Sequence, residues 1–290
     1  MKRDKSFTYS VPANLDFTGR RVAIIGGTGG IGRAFARAVA AKGASVTIVG
    51  RKFRDPDVTG IDFVSADLSL MTEARRIGET LPAETYDLVV FTTGIMAGPK
   101  REATAEGIER DLAISYLSRL VILRGMAGRM GSDNRRPRVF VMGFPGSGQK
   151  AVIDDLNSDR NYGRMRAHMN TVAGNEALVL DAARRYPQFD TFGLNPGFVK
   201  TDIRGNLFGG KNLLYRVMEG LAGILTKDAD SYARRILPLF VAPELRGQAG
   251  RMFDDKARAI VASSWLTETS VEQVIAASAA LVEERAGFAV

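Results

Sequence analysis

A cluster of glycines near the N-terminus is the first feature that points to chemistry. It joins an apolar, strand-like run at 20–27 to a helical pattern at 31–43. The glycines are Gly26, Gly27, Gly29, Gly30 and Gly32. Without side chains at these positions, backbone N–H groups can approach a pyrophosphate, and the N-terminus of the next helix adds partial positive charge. The spacing Gly27-x-Gly29-x-x-Gly32 therefore predicts a dinucleotide site.

The second such feature is the single histidine, His168, which lies within a helical pattern at 166–186. A free imidazole has a pKa of about 6.5, so this side chain is a candidate proton donor near neutral pH. The alternative is an ordinary packing or surface residue of the helix. Because the chain has no cysteine, thiolate catalysis, disulfides and cysteine-based zinc sites are excluded. With one histidine, no metal site is expected.

The residues after the second predicted strand bear on the choice of cofactor. The strand at 44–50 ends at Gly50, where a protein that prefers NAD usually has an acidic residue for the ribose hydroxyls. Arg51, Lys52 and Arg54 follow it. A carboxylate would repel a 2′-phosphate, whereas an arginine can bind it with two parallel hydrogen bonds. NADP(H) is therefore favoured, with NAD(H) as the alternative if Arg51 only stacks on the adenine.

Strand-like and helix-like segments alternate along the chain, and these elements must position the glycines and the histidine. Predicted strands lie at 20–27, 44–50, 61–69, 85–94, 136–148, 189–197 and 250–255. Predicted helices lie at 31–43, 106–131, 166–186, 231–243 and 270–287. The strands are apolar on both faces, which requires a parallel sheet covered on both sides. We expect an α/β fold, a single doubly wound Rossmann-type domain over 1–290 with a mainly parallel sheet, helices on both faces and an N-terminal extension at 1–18.

Composition and charge limit the partners of the chain. The 290 residues are 45% hydrophobic, enough for a large core, and the net charge is +8. Basic residues are scattered among acidic ones, which favours a solvated surface, or a field that attracts an anionic small molecule, over a nucleic-acid site. No apolar run reaches the roughly 18 residues of a membrane span, and the N-terminus lacks the apolar core of a secretory signal. We therefore expect a cytoplasmic protein that binds neither nucleic acid nor membrane.

One apolar segment, 206–228, interrupts the alternation of strands and helices. It has two equal interpretations, a lid over a bound ligand and an ordinary peripheral helix. As a lid, it would favour a substrate with hydrophobic bulk.

The motifs, in this order, make the chain resemble the short-chain dehydrogenase/reductase family over nearly its whole length. The matching stretches are the glycine motif at 26–32, Asp67-Leu68 beside the adenine, TTG at 92–94 after the fourth strand, and LNPGFVKTDI at 194–203 beside the nicotinamide. The tail at 233–257 is similar to that of retinol-dehydrogenase-like members. The resemblance implies cofactor contacts from Gly26, Thr28, Gly29, Gly30, Ile31, Gly32, Arg51, Arg54, Asp67, Leu68, Thr92, Thr93, Gly94, Pro196, Gly197, Val199 and Thr201.

The chain departs from the resemblance at the family's catalytic residues. Members use a serine to polarise the carbonyl, a tyrosine to transfer the proton, a lysine four residues later and an asparagine on the preceding helix. The aligned positions hold Gly143 and Phe144 for the serine, Ser115 for the asparagine, His168 for the tyrosine and Val172 for the lysine. In this register all four catalytic residues are replaced.

A second register stays open. Tyr162 and Arg166 form Y-x-x-x-R, close to the family's Tyr-x-x-x-Lys. This register gives up the match of Asn175 to the family's Ala-Asn pattern, and the charge of an arginine is fixed where that of a lysine is not. Ser147, Tyr162 or the backbone amides of FPGSG (144–148) are candidates to stand in for the missing serine.

The resemblance implies an NAD(P)-dependent oxidoreductase that reduces an aldehyde or ketone, or oxidises the alcohol, by hydride transfer. His168 would replace the tyrosine as the acid, with Tyr162 and Ser115 as the other candidate catalytic residues. The alternatives are a catalytically silent NADP(H)-binding sensor or scaffold, and a non-redox isomerase or cyclase. Family members dimerise through the helices that correspond to 106–131 and 166–186, so a homodimer or homotetramer is expected.

Overall fold

The computed structural model describes residues 1–131, 135–197 and 228–290, and within them eight strands form one sheet. The strands are β1 (Arg21–Ile25), β2 (Ser45–Gly50), β3 (Ile61–Ser65), β4 (Leu88–Phe91), β5 (Arg138–Met142), β6 (Asp190–Leu194), β7 (Met252–Phe253) and β8 (Ala259–Ile260). Their order is β3-β2-β1-β4-β5-β6-β7-β8. Every neighbouring pair is parallel except β7 with β8. The mainly parallel sheet is confirmed.

Helices cover both faces of this sheet. The α-helices in the described residues are α1 (Gly30–Ala40), α2 (Met71–Thr80), α3 (Arg110–Leu112), α4 (Ser118–Ala127), α5 (Arg164–Arg185), α6 (Ala229–Val241) and α7 (Glu268–Ala286). A π-helical turn, Ala113–Leu117, joins α3 to α4. One face of the sheet packs against α1 and α6, and the other packs against α2, α4, α5 and α7. The doubly wound Rossmann-type architecture is therefore confirmed.

The structure departs from the predicted elements in three places. The helix predicted at 106–131 begins only at Arg110 and contains the π-helical turn. The hydrophobic pattern also misses α2 and β8. In α2 the buried residues form a narrow stripe among polar ones, and β8 is two residues long. The buried positions of α2 do recur at helical spacing, but only Met71 and Ile77 among them are large and apolar. A strand of two residues, such as β8, is too short to show a pattern.

The N-terminal extension packs along the edge of the sheet at β8. Arg3 forms a β-bridge with Ile260, and the Asp4 carboxylate pairs with Arg251 at 2.6 Å. The predicted lid at 206–228 lies outside the described residues except for its last residue, which precedes α6. None of the described helices is long and apolar enough to cross a membrane.

Helix α7 covers the outer face of α5. Residues 170–179 of α5 are buried without interruption, so this stretch has almost no exposed surface. The Tyr116 hydroxyl in the π-helical turn lies 2.8 Å from Ser278 Oγ of α7. Leu117 and Leu120, on one helix of the expected dimer surface, are also buried inside the chain. The homodimer or homotetramer stays a prediction.

Candidate active site

The glycine cluster lies where the strand order reverses, between β1 and β4. Ligands of open α/β sheets bind at the carboxyl ends of the strands at this point. Gly26 has a φ of +95°, and a Cβ on it would lie 2.6 Å from the Thr93 amide nitrogen. A Cβ on Gly32 would collide with Thr92 Oγ1 and with the Gly26 carbonyl. The glycine cluster and the TTG segment after β4 therefore pack together, and their contact excludes side chains at Gly26 and Gly32.

The N-terminus of α1 lies at the same edge of the sheet. The helix begins at Gly30, and its N-cap residue, Gly29, makes no side-chain hydrogen bond to the first turn. The N–H groups of that turn are therefore not capped by a side chain, which suits an anion. Ile31 packs into the core beneath α1 and is 8% exposed.

Two arginines lie beyond the end of β2. Arg51 and Arg54 are both exposed, and a Cβ placed on Gly29 would lie 3.7 Å from Nη1 of Arg54. Arg54 therefore lies beside the glycine cluster. A Cβ on Gly50 would lie 2.7 Å from Oγ1 and Cγ2 of Thr28. The structure thus has no space at Gly50 for the acidic side chain of an NAD-preferring protein.

The other expected cofactor contacts lie in loops at this edge. Asp67 and Leu68 follow β3, where Asp67 is exposed and Leu68 is buried. Pro196 and Gly197 follow β6 and are half-buried. The remaining two expected contacts, Val199 and Thr201, lie outside the described residues. The candidates that are described thus come from loops after five different strands and share one edge of the sheet.

The single histidine pairs with a buried carboxylate. His168 Nδ1, in α5, lies 2.8 Å from Oδ2 of Asp111, in α3. The Asp111 side chain is fully buried, whereas 23% of the His168 side chain is exposed. Ser115 Oγ donates to the second oxygen of Asp111 at 2.5 Å and accepts from the Ile95 amide at 3.0 Å. Two side chains thus link His168 to the segment that follows β4.

This contact favours one tautomer of His168. A carboxylate at Nδ1 favours the form with a proton on Nδ1 and leaves Nε2 as the other functional atom. No hydrogen bond to Nε2 is found within the described part of the chain. The arrangement differs from a serine-protease triad, because Ser115 bonds to the carboxylate and not to the imidazole. It can exchange a proton with a ligand but does not activate Ser115 as a nucleophile.

A buried arginine organises the region next to this pair. Arg119 is 3% exposed, and its guanidinium donates to the carbonyls of Thr93 and Met142. It also donates to Asn175 Oδ1 at 2.8 Å. Burial lowers the pKa of Arg119 to about 9, so the group remains a cation at neutral pH. Asn175 Nδ2 in turn donates to the Ser115 carbonyl at 2.8 Å. Arg119 thus joins the carboxyl ends of β4 and β5 to α5.

Tyr162, the candidate acid of the second register, is engaged elsewhere. Its hydroxyl donates to the Gly98 carbonyl at 2.7 Å. Burial, and then the charges of Glu109 and Asp111, raise the pKa of Tyr162. Arg166, which would take the place of the lysine, is exposed. In this structure the Tyr162 hydroxyl is therefore engaged with a carbonyl of the chain itself, and its role as the acid stays an alternative.

Gly143 and Ser147 bear on the serine that the alignment leaves unmatched, and their surroundings differ. A Cβ on Gly143 would lie 3.1 Å from the Cβ of Asn175, so any side chain at this position crowds the partner of Arg119. Ser147, four residues later, has a buried hydroxyl with no hydrogen-bond partner in the described residues. Because this oxygen is buried, the structure does not expose it to a ligand, and Ser147 stays only a candidate for the serine's role.

Asp111 and Arg119 are site residues that the motifs do not reveal. Their signal is spacing, because Asp111, Ser115 and Arg119 recur every fourth residue in a mainly apolar helical segment. Polar residues four apart lie on one face of a helix, so the recurrence indicates a buried polar contact. The partners lie 57 and 56 residues away, in α5, and no local pattern identifies them.

Three known proteins place the chain among its relatives, although no family model matches it. An uncharacterized oxidoreductase of Saccharomyces cerevisiae is 47% identical over 279 residues, which cover 93% of this chain and 90% of the yeast protein. Human retinol dehydrogenase 12 is 24% identical over 260 residues, which cover 84% of this chain and 80% of the human one. A Shigella flexneri protein assigned as a short-chain dehydrogenase, solved with NADP, has a TM-score of 0.63 at 15% identity. That match covers 84% of this chain and 100% of the Shigella chain.

These similarities agree with the geometry of the site. The yeast protein is matched over nearly its full length at an identity that shows common descent. The Shigella structure has the same fold, with its cofactor in place. The similarity to a retinol dehydrogenase agrees with the resemblance of the tail. The predicted family is thus confirmed, and the chain belongs to the short-chain dehydrogenase/reductase family of oxidoreductases.

Proposed function

We propose that this chain binds NADP(H) and reduces an aldehyde or ketone, or oxidises the corresponding alcohol, with His168 as the proton donor. The proposal depends above all on one contact, between His168 Nδ1 and the buried carboxylate of Asp111, which leaves Nε2 for proton exchange. The link through Ser115 to Ile95 ties this pair to the loop after β4, next to the glycine cluster.

The residues at this edge of the sheet fit a dinucleotide. The glycines of the cluster have no side chains to shield the backbone, and the first turn of α1 has no side-chain cap. Both features suit a pyrophosphate. The Shigella protein of the same fold is complexed with NADP, which supports the assignment. When bound, the nicotinamide supplies or accepts the hydride, while the chain holds the cofactor, orients the carbonyl and provides the proton.

Two features favour NADP(H) over NAD(H). The first is steric, because Thr28 occupies the space that an acidic side chain at Gly50 would need. The second is electrostatic, because Arg51 and Arg54 follow β2, where a 2′-phosphate would lie. Two exposed cations and no carboxylate at the end of β2 are what a phosphorylated ribose requires.

The proposed reaction needs a side chain that can both give and take a proton, and the imidazole of His168 can do both. In the imidazolium form, Nε2–H would donate to the alkoxide oxygen that forms as hydride adds to the carbonyl carbon, and Asp111 would balance the charge of the ring. In the reverse direction, Nε2 would accept the proton of the alcohol. An imidazole can act as an acid near neutral pH without a neighbouring ammonium group. Val172 in place of the lysine is therefore compatible with catalysis.

We further propose that the substrate carries its carbonyl or alcohol on an apolar body. The support is the apolar composition of 206–228 and the similarity to human retinol dehydrogenase 12, whose name specifies an apolar alcohol.

The parent chain provides the first test. NADPH and NADH are titrated while the fluorescence of the cofactor is followed, and a panel of apolar aldehydes and ketones is then assayed with each. We expect NADPH to bind more tightly than NADH and at least one apolar carbonyl to be reduced. Failure of both cofactors to bind would contradict the cofactor assignment. Tight binding of NADPH without any turnover would favour a catalytically silent sensor or scaffold.

The choice of acid is tested with Tyr162→Phe. This variant removes only the hydroxyl that bonds to the Gly98 carbonyl, so we expect kcat to stay near the parent value. A loss of turnover with intact binding of NADPH would move the proton-donor role from His168 to Tyr162.

A further inference from the structure

The loop between β2 and β3 is fixed at two points on either side of Arg54. The ring of Phe53 stacks on Phe63 of β3, with centroids 5.3 Å apart and planes 4° from parallel. Asp55 forms a two-pronged ion pair with Arg33, in which Nε and Nη2 each lie 2.7 Å from a carboxylate oxygen. The residues before and after Arg54 are thus both anchored.

The ion pair joins this loop to the first turn of α1. Arg33 directly follows Gly32, and its Nη2 also lies 3.5 Å from the carbonyl of Arg54. The Asp55 side chain is 5% exposed and that of Arg33 is 35% exposed, so the carboxylate is the buried partner. The contact holds the loop against the glycine cluster, where Nη1 of Arg54 would lie 3.7 Å from a Cβ on Gly29.

The charged side chains around Arg54 favour an anionic ligand. A free carboxylate beside Arg54 would repel a phosphate and could instead accept bonds from ribose hydroxyls. Both oxygens of Asp55 are engaged by Arg33, and the hydrogen bonds from Arg33 lower the pKa of Asp55. Arg37 and Arg54 add further positive charge around the carboxylate.

We infer that the Asp55–Arg33 pair is a positioning device that holds Arg54 beside the glycine cluster and thereby sets the selectivity for a cofactor with a 2′-phosphate. The inference rests on the proposed function, since it assumes that a dinucleotide occupies the cluster. It assigns a role in recognition to a carboxylate, a group that by its charge alone would oppose phosphate binding.

Loss of positioning and loss of a negative charge should change the binding of a phosphate in opposite directions. Asp55→Asn in the full chain therefore distinguishes the two effects. The probes are 2′,5′-ADP and 5′-AMP, which differ only in the 2′-phosphate, and their binding is measured by calorimetry. Loss of one charge-assisted contact with the phosphate should weaken 2′,5′-ADP about tenfold, with 5′-AMP unchanged. Removal of a negative charge without loss of positioning would instead tighten 2′,5′-ADP.

Two further variants keep the outcome interpretable. Asp57→Asn makes the same charge change at an exposed residue of the same loop, and we expect it to leave 2′,5′-ADP unchanged or slightly tighter. Arg33→Lys keeps the charge but cannot form the two-pronged contact, so it should reproduce the loss seen with Asp55→Asn. A merely structural role would weaken both probes equally.

Failure of the proposed cofactor preference and failure of the role of the ion pair give different results. A parent chain that binds 2′,5′-ADP no more tightly than 5′-AMP would overturn the proposed preference for NADP(H). A parent chain with that preference, but with the same ratio in Asp55→Asn and Arg33→Lys, would overturn the role of the ion pair alone.

Discussion

The proposed nucleotide region lies around β1, α1 and β2, and the proposed catalytic region lies around α3, α4 and α5. The first is shaped mainly by the backbone and the second mainly by side chains. In the first, the backbone determines the site, because Cβ atoms on Gly26, Gly32 or Gly50 would meet neighbouring atoms. In the second, side chains determine it, through the buried contacts of Asp111 and Arg119. The nucleotide region has the glycine motif on which the resemblance to the family rests. In the proposed alignment, the catalytic region has a different set of polar residues in the family's positions.

The difference shows what each kind of site tolerates. A backbone site changes only if several close contacts rearrange together, since a Cβ added at Gly26, Gly32 or Gly50 collides with another element. A proton donor needs only a suitable group at a suitable place, so an imidazole held by a carboxylate can replace a phenol held near an ammonium group. A catalytic region without the family's tyrosine and lysine is therefore compatible with the proposed chemistry.

Among the variants that test this difference between the two regions, we expect Asp111→Asn to have the largest effect on kcat. An asparagine cannot balance the charge of an imidazolium at His168, so we expect kcat to fall about 100-fold or more while the Kd for NADPH stays unchanged. Stopped-flow reduction of an apolar carbonyl and titration of NADPH measure the two quantities.

The matched control for Asp111→Asn is Asp181→Asn. Asp181 is also a buried carboxylate, but it pairs with Arg185 in α5 and is not linked to His168. A similar loss of kcat in both variants would mean that the effect comes from packing and not from the pair with His168.

In the nucleotide region, we expect Gly50→Asp to have the next largest effect, which is on the binding of NADPH. The new side chain meets Thr28 and carries a charge that repels a 2′-phosphate, so the Kd for NADPH should rise about tenfold or more relative to that for NADH. Gly50→Ala adds only the Cβ and separates the two causes. We expect it to weaken both cofactors equally, and an unchanged NADPH-to-NADH ratio in Gly50→Asp would contradict the assignment of this position.

The smallest predicted effect is on stability in acid. Hydrogen bonds from Arg33 make the pKa of Asp55 lower in the folded chain than in the unfolded chain. The contribution of the pair is therefore complete above about pH 5 and is lost as the pH falls through about 4 and below. Because Arg33 is partly solvated, we expect a contribution of only about 1 kcal/mol to the free energy of unfolding.

Urea unfolding of the parent and of Asp55→Asn at pH 6 and pH 3 measures this contribution. At pH 6 the parent should be more stable than Asp55→Asn. This difference in the free energy of unfolding should shrink at pH 3. A difference that is independent of pH would show that the ion pair does not stabilise the fold.

The sequence predicts the nucleotide region better than the catalytic region, and the reason is physical. The glycine cluster lies between a strand and a helix that adjoin it in the chain, so its whole context is local. The Asp111–His168 contact joins α3 to α5 across 57 residues, and it depends on how both helices pack on the sheet. Only the four-residue spacing of Asp111, Ser115 and Arg119 hints at it. The register that aligns His168 with the family's tyrosine is nevertheless available from Asn175 and its neighbours.

The role of His168 is tested most directly by a single-turnover measurement with His168→Gln. Enzyme loaded with NADPH is mixed with an apolar carbonyl substrate, and the decay of NADPH fluorescence is followed beside a separate titration of NADPH. We predict that the rate falls about 100-fold or more while the Kd for NADPH keeps its parent value. A variant that reduces the carbonyl at the parent rate would contradict the assignment of His168 as the proton donor.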